Sequence, residues 1–372
     1  MGTGPYRFVD FEPGDLVKGE RHTGYHVPNR PYSDTIELKG GGDAVSAARA
    51  VIQTGDYDYA WNTQVEDEIL LRLENTANAK GRVEIVPGMA IEHITINNTD
   101  PWTEVDGERS SAKTRHPLFN DPAVRHALRL RVDRISVQAH IYGRTGVATG
   151  NLINNPERFI SKNTRWEFSV EKANQRLDEA GWKRGPDGIR VEDGKKLKLV
   201  FQTSINAPRQ KTQAIVKQAC QKEGIDIELK SVTASVYFSS DAANPDTARK
   251  FHADMQMYTS GVGQPPDPEG FMRQVLSSEI AAKENKWRRS NATRWHNEAY
   301  DNLFHAAEGE LDRVKREALF IAMNDMVVED GVVIPLVCRP QVSAISNYKK
   351  LRATLSGWDN TFWNLQDWYR EA

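Results

Sequence analysis

The chain has 372 residues, enough for two or three domains, and carries a net charge of -2 with 27% charged and 39% hydrophobic residues. That balance is ordinary for a globular protein and gives no reason to expect nucleic acid or a membrane surface as partner. Its two cysteines, Cys220 and Cys338, stand in no CxxC or Cys/His cluster, which argues against a metal site or redox motif, and no apolar run approaches the length of a membrane span.

Strand-like runs alternate with turn signals over residues 1–40: Tyr6–Phe11, Leu16–Arg21 and Ser33–Lys39 read as strands, with Glu12-Pro13-Gly14-Asp15 a turn. Asp43 caps a predicted helix from Ala44 to Thr54, and Gly55 stops it. Tyr57–Asn62 is a short strand with a polar tip, Val65–Asn75 a helix, and Val83–Pro87 and Glu92–Asn97 further strands. The mixture argues an α/β or α+β layer. Residues 100–121 are polar and irregular and read as a crossing between domains. A cap at Asn120 or Asp121 with Pro122 in the first turn starts a helix through Val124, Leu128 and Val132. Val137–Tyr142 reads as a second helix and Val170–Ala180, capped by Ser169, as a third. Leu197–Phe201, Arg209–Glu223 and Ile225–Leu229 form strand, helix and strand, a βαβ unit with parallel pairing. Cys220 falls on the buried face of that helix. Asn297–Gly309 and Asp312–Asp330 are helices, and Val332–Val337 is a buried strand expected to cross back to the first domain. The tail places Trp358, Trp363 and Trp368 within eleven residues, as core packing or as the wall of a cleft, with core packing favoured.

The stretch Met255–Arg273 stands out. Ala253–Tyr258 reads as a strand that breaks into Thr259-Ser260-Gly261-Val262-Gly263-Gln264, where two glycines admit unusual backbone conformations and the close approach of a ligand. Pro265-Pro266-Asp267-Pro268 can continue neither a ladder nor a helix. A glycine-lined strand end is how an α/β sheet presents backbone groups at its carboxyl edge. The competing reading is a Pro-rich surface loop.

Several ordered motifs resemble the extracellular solute-binding family 5 of peptide-type ABC importers, which includes dipeptide-, oligopeptide- and nickel-binding members. They are Gly2-Thr3-Gly4-Pro5-Tyr6-Arg7-Phe8, Gln53–Ala60, Phe119–Leu128 followed by Val132-Asp133-Arg134, Ala180-Gly181-Trp182, Gly224–Leu229, Asp267-Pro268 and Val333–Leu336. The resemblance implies an α/β, type II periplasmic-binding-protein-like fold. Its two lobes, with mixed sheets and a hinge, close on a ligand. The expected division is partial lobe I over 1–118, lobe II over 119–334 and a return to lobe I over 335–372. The abrupt strand-like start reads as a chain begun in mid-domain, so the first lobe is expected to be incomplete and binding by this chain alone weak or absent.

The expected function is that of the substrate-binding component of an ABC importer. It captures a small polar solute (peptide, oligosaccharide or opine) and delivers it to a membrane permease, with no cofactor and no nucleic acid. A monomer is expected, periplasmic or a cell-surface lipoprotein. In peptide-binding relatives an acidic residue three positions before the Asp of the Asp-Pro pair holds the peptide amino terminus; here that position is Gln264, which hydrogen-bonds but forms no ion pair. Gln202–Asn206, where some dipeptide binders carry an Arg, holds no cation. Both departures favour an oligosaccharide or opine, with longer peptides held through their backbone as the other reading. The candidate ligand-binding residues are Trp61, Asn62, Tyr258, Ser260, Gly261, Val262, Gly263 and Gln264, with Asp267 expected to cap the helix that follows. No GxSxG, HExxH, P-loop or GxGxxG stands in context, so no enzyme is expected; a cleft hydrolase is the alternative from another class.

Overall fold

A computed structural model describes residues 2–261 and 265–371. Its contacts divide the chain into two compact units, Met1–Gly88 with Pro340–Ala372 and Met89–Arg339.

The second unit is built on a six-stranded mixed sheet. In chain order its strands are β1 (Ile91–Ile96), β2 (Val147–Ala148), β3 (Lys198–Ser204), β4 (Asp226–Val232), β5 (Met255–Ser260) and β6 (Val333–Cys338). They lie in the order β4-β3-β5-β1-β6-β2. The βαβ expectation holds. β3 and β4 pair in parallel from Lys198↔Asp226 to Ser204↔Val232, and the helix between them is Ala207–Gln221. That helix starts where Asn206 accepts the Arg209 N–H and Pro208 occupies the first turn, and it buries Val216, Ala219 and Cys220. Helix Pro122–Leu130 is capped by Asp121, and Arg313–Asp330 by Asp312 through the N–H groups of Val314 and Lys315. One continuous core joins Ile94 and Ile96 of β1, Met255 and Met257 of β5, Leu199 and Phe201 of β3, and Val124 and Leu128 of the first helix. β1 is buried along its whole length although it carries Glu92, His93 and Thr95.

The changeovers between units lie at 88/89 and 339/340, where the sequence led us to expect 118/119 and 334/335. Residues 97–118 stay in the second unit because their side chains reach the approach to β5. Asn97 Nδ2 and Ser110 Oγ donate to the Phe251 carbonyl at 2.8 and 2.9 Å, and His116 Nε2 and Trp102 Nε1 to Asp254 Oδ1 at 2.9 and 3.0 Å. The strand expected to cross back is β6, which pairs with β1 through Val333↔Thr95 and Ile334↔Ile94; the chain leaves this unit only after Arg339. The helix expected over 137–142 is present and starts earlier, at Arg134, with its second half wound as a π-helix over Gln138–Tyr142. Regular helix covers Arg134–Val137, and a wider turn runs to Gly143, whose φ is +48°.

In the first unit Tyr6–Glu12, Leu16–Arg21 and Thr35–Lys39 form an antiparallel sheet. A second sheet places Gln341–Ser346 between Tyr59–Ala60 and Gly81–Val86. Val342 and Ala344 pack there on Ala48, Val51 and Ile52 of the helix capped by Asp43. The aromatic tail enters the core through one of its tryptophans. Trp368 is buried against Tyr59, ring centroids 5.2 Å apart, whereas Trp363 is half-exposed.

Candidate functional site

The carboxyl end of β5 gathers the polar chemistry of the second unit. Period-two alternation sends Met255, Met257 and Thr259 to one face and Tyr258 and Ser260 to the other. Across the ladder Tyr258 faces His93, Thr259 faces Glu92 and Ser260 faces Ile91.

Behind Thr259 lies a buried ionic network. Arg209, in the first turn of the helix after β3, donates from Nε to Glu92 Oε1 at 2.8 Å, from Nη1 to Ser204 Oγ at 2.7 Å and from Nη2 to Thr259 Oγ1 at 2.9 Å. Thr259 Oγ1 donates to Glu92 Oε2 at 2.5 Å and accepts from Arg339 Nη1 at 3.0 Å. Glu92 is fully buried, and burial alone would push its carboxyl up. The Arg209 and Arg339 charges and the Thr259 hydroxyl outweigh that and hold it below the usual carboxylate range. The hydroxyl of Thr259 is thus fixed from three sides, and with it the strand end.

On the opposite face the His93 and Tyr258 rings meet edge to face, centroids 4.8 Å apart. Burial draws the His93 imidazole below its ordinary value, which leaves it neutral at pH 7. A cavity of about 40 Å³, room for a few waters or one small side chain, is lined there by His93, Tyr258, Ser260, Phe271, Met272 and Thr293.

β5 is open along one side at its tip. Its pairing with β1 continues to Ser260↔Ile91, but its pairing with β3 ends at Thr203↔Met257. Over Tyr258–Ser260 the β3 side has no strand partner among the described residues. Gly261 ends the strand at φ +79°, and a Cβ there would lie 2.7 Å from the Met89 carbonyl oxygen. Both conditions require glycine. Gly261→Ala is expected to destabilise the protein by about 1–3 kcal/mol through left-handed backbone strain plus that contact, read as a lower urea midpoint.

Tyr258, Ser260 and Gly261 are therefore brought together, while Val262, Gly263 and Gln264 lie outside the described residues. Trp61 and Asn62 belong to the first unit. Trp61 follows the Tyr59–Ala60 strand and is 54% exposed, so it is no core tryptophan, and Asn62 takes a left-handed φ of +47°. Asp267 precedes the helix Glu269–Met272 by two residues, and the N-cap position itself is Pro268. Asp267 accepts the Glu269 N–H at 3.0 Å and is held by Arg316 Nη1 at 2.5 Å. Gln202–Ser204 is strand rather than loop: Gln202 donates to Gln256 and Thr203 to the Met257 carbonyl. Arg209, the cation nearest to that stretch in sequence, is buried and taken up by Glu92, Ser204 and Thr259. Sequence reasoning missed Arg209, Glu92 and Arg339 together; the available signal was Glu92 sharing the buried parity of Ile94 and Ile96.

Among the described residues no group of three or more His, Cys, Asp or Glu side chains could hold a metal ion. Cys220 and Cys338 are thiols whose burial pushes them up to about 12 and about 11. No helix among the described residues is long and apolar enough to cross a membrane.

The family model of bacterial extracellular solute-binding proteins, family 5 middle region, matches residues 1–283. The chain belongs to this family. Among relatives, this family 5 chain is 30% identical over 241 residues to the oligopeptide-binding protein AppA of Bacillus subtilis, covering 62% of the chain and 39% of AppA. It is 23% identical over 348 residues to the glutathione-binding protein GsiB of Escherichia coli K12, covering 93% and 60%. The structure of an oligopeptide-binding protein from Thermus thermophilus complexed with a pentapeptide superposes with a TM-score of 0.80 at 21% identity, covering 98% of this chain and 62% of that one. The fold is that of the type II periplasmic binding proteins. The family 5 chain thus spans about two fifths to three fifths of the length of these curated relatives.

Proposed function

We propose that the protein is the substrate-binding component of a peptide-type ABC importer. Its two compact units are read as the two lobes. Outside the cytoplasmic membrane, as a monomeric periplasmic protein or surface lipoprotein, it captures a small polar solute by lobe closure. It then delivers the solute to the permease without chemical change and without a cofactor.

The observation that carries the peptide reading is the open side of β5 over Tyr258–Ser260. A peptide in extended form adds to such an edge through its own N–H and C=O groups, which gives affinity with little dependence on side chains. Gly261 leaves the tip free of a side chain that would hold a ligand backbone away, and the Glu92–Arg209–Arg339 network keeps the edge from shifting when it is empty. Pre-organisation of this kind lowers the cost of binding. Trp61 of the first unit is exposed, as a residue that stacks on a solute has to be. The names of the oligopeptide- and glutathione-binding relatives support the same class.

A second reading, an opine or oligosaccharide, is favoured by Gln264 standing where peptide binders place an acidic anchor. A thermal-shift panel of tri- to pentapeptides, opines and oligosaccharides at millimolar concentration separates the two, because a solute that binds only the folded protein must raise its melting temperature. Small upward shifts with several unrelated peptides are the expected result, since weak binding by this chain alone still registers at millimolar solute. Shifts with opines or oligosaccharides alone would transfer the assignment to the second reading, and no shift with any of them would overturn both.

A further inference from the structure

At the other end of β5, where the chain enters the strand, three loops of the second unit (100–113, 247–254 and 286–294) meet in a group of cations that solute capture leaves unused. Arg294 is 4% exposed; its Nη atoms donate to the carbonyls of Ala292, Arg249 and Lys250 at 2.5, 3.1 and 3.1 Å, but its Nε is buried with no hydrogen-bond partner. His252 Nε2 is likewise buried and unpartnered. Lys250 Nζ sits 4.4 Å over the Trp287 ring, and the Arg109 guanidinium 5.3 Å over Trp102.

The charges acting on His252 are Arg109, Arg294, Lys250 and Lys230, all of one sign. Lys230 is neutralised by Asp246 at 2.6 Å. Glu108 acts on Arg294 and accepts the Lys283 N–H, and Asp254 is engaged by Trp102, His116 and the Val200 N–H. None of Arg109, Lys250 and Arg294 closes an ion pair among the described residues. Buried donors without acceptors are costly, and so are clustered cations that Glu108 offsets only at a distance, without an ion pair; one anionic ligand relieves both.

We propose that Arg109, Lys250, His252 and Arg294 bind a small tetrahedral oxyanion, phosphate or sulfate. Guanidinium and imidazole N–H groups are matched to its oxygens, and the bonds are charge-assisted. The titration of His252 agrees. Burial first, then the charges of Arg109, Arg294, Lys250 and Lys230, draw it down to about 4 from 6.5. As pH falls from 6.5 towards 4 the unfolded chain therefore takes up a proton that the folded protein refuses, and stability falls with it. A bound oxyanion reverses the field at the ring, so His252 protonates more readily and binding tightens in acid.

The test follows the His252 ring by NMR through pH titration in sodium phosphate, in sodium sulfate and in sodium chloride at equal ionic strength, with melting temperatures recorded alongside. The expected result is a His252 midpoint higher by about one unit or more in phosphate or sulfate, a tenfold change in its protonation equilibrium. A saturable rise in melting temperature should accompany it. Arg109→Gln and Lys250→Gln should each abolish most of the phosphate response while melting in chloride as the parent does. Should either variant fold poorly, the parent's His252 titration still decides. A His252 midpoint that is the same in all three salts, or a melting response to phosphate no larger than to chloride, would overturn the proposal.

Discussion

Glu92→Gln should lower the stability of the protein by about 3–5 kcal/mol, the cost of leaving a buried charge without its partner. Glu92 lies between two guanidinium groups, Arg209 at 2.8 Å and Arg339, and itself has no exposure to solvent. Gln keeps the shape and one acceptor oxygen but removes the charge. Two buried cations then share a low-dielectric interior with no anion between them, and the Thr259 hydroxyl loses its carboxylate acceptor. The urea midpoint should fall with the slope unchanged. Acid should reproduce part of the loss in the parent. A carboxyl held below its ordinary 4.5 contributes stability above that pH and gives it up as pH drops through the folded-state value. The parent and Glu92→Gln should therefore converge in acid, and parallel pH–stability curves would show that the carboxylate does not anchor the strand.

Asp254→Asn is the second large effect, and it comes from neutral donors. Oδ1 accepts from His116 Nε2 and Trp102 Nε1, and Oδ2 accepts the Val200 N–H at 2.6 Å. His116 cannot turn to compensate, because its Nδ1 already accepts the N–H groups of Leu118 and Phe119 at 3.1 and 2.9 Å, which assigns the proton to Nε2. An amide presents its NH₂ to at least one of these donors, so the expected cost is about 2–4 kcal/mol. Because this carboxylate ties residues 97–118 and β3 to the approach to β5, amide exchange should rise at Val200 and along 97–118 beyond what the global loss explains. Uniform acceleration across the protein would mean that Asp254 is no special tether.

The sequence made local structure legible wherever one residue type does one job. Asp121 with Pro122, Ser169, Asn297 and Asp312 all cap the helices they precede, and the parallel pair around Ala207–Gln221 follows from strand, helix and strand in a row. The division into units was less legible. The polar composition of 100–121 reads as a crossing between domains, yet Ser110 and His116 use that polarity to bond to the backbone and side chains before β5. At the candidate site, Gly261 was readable from its place at a strand end. Glu92, Arg209 and Arg339 come from positions 92, 209 and 339, and only the sheet order β3-β5-β1-β6, with the helix after β3, brings them together. No local pattern encodes that meeting. The exposure of Trp61 was not legible, because its two-residue strand gives too few alternations to assign a face.

The most direct measurement is backbone amide exchange of Tyr258, Thr259, Ser260 and Gly261 with and without a saturating extended tetrapeptide. If the peptide adds to the open side of β5, the Thr259 region should gain protection on binding, and a peptide N-methylated at alternate residues should bind more weakly and protect less. Tight peptide binding that leaves these four amides unchanged, or binding indifferent to N-methylation, would contradict the account.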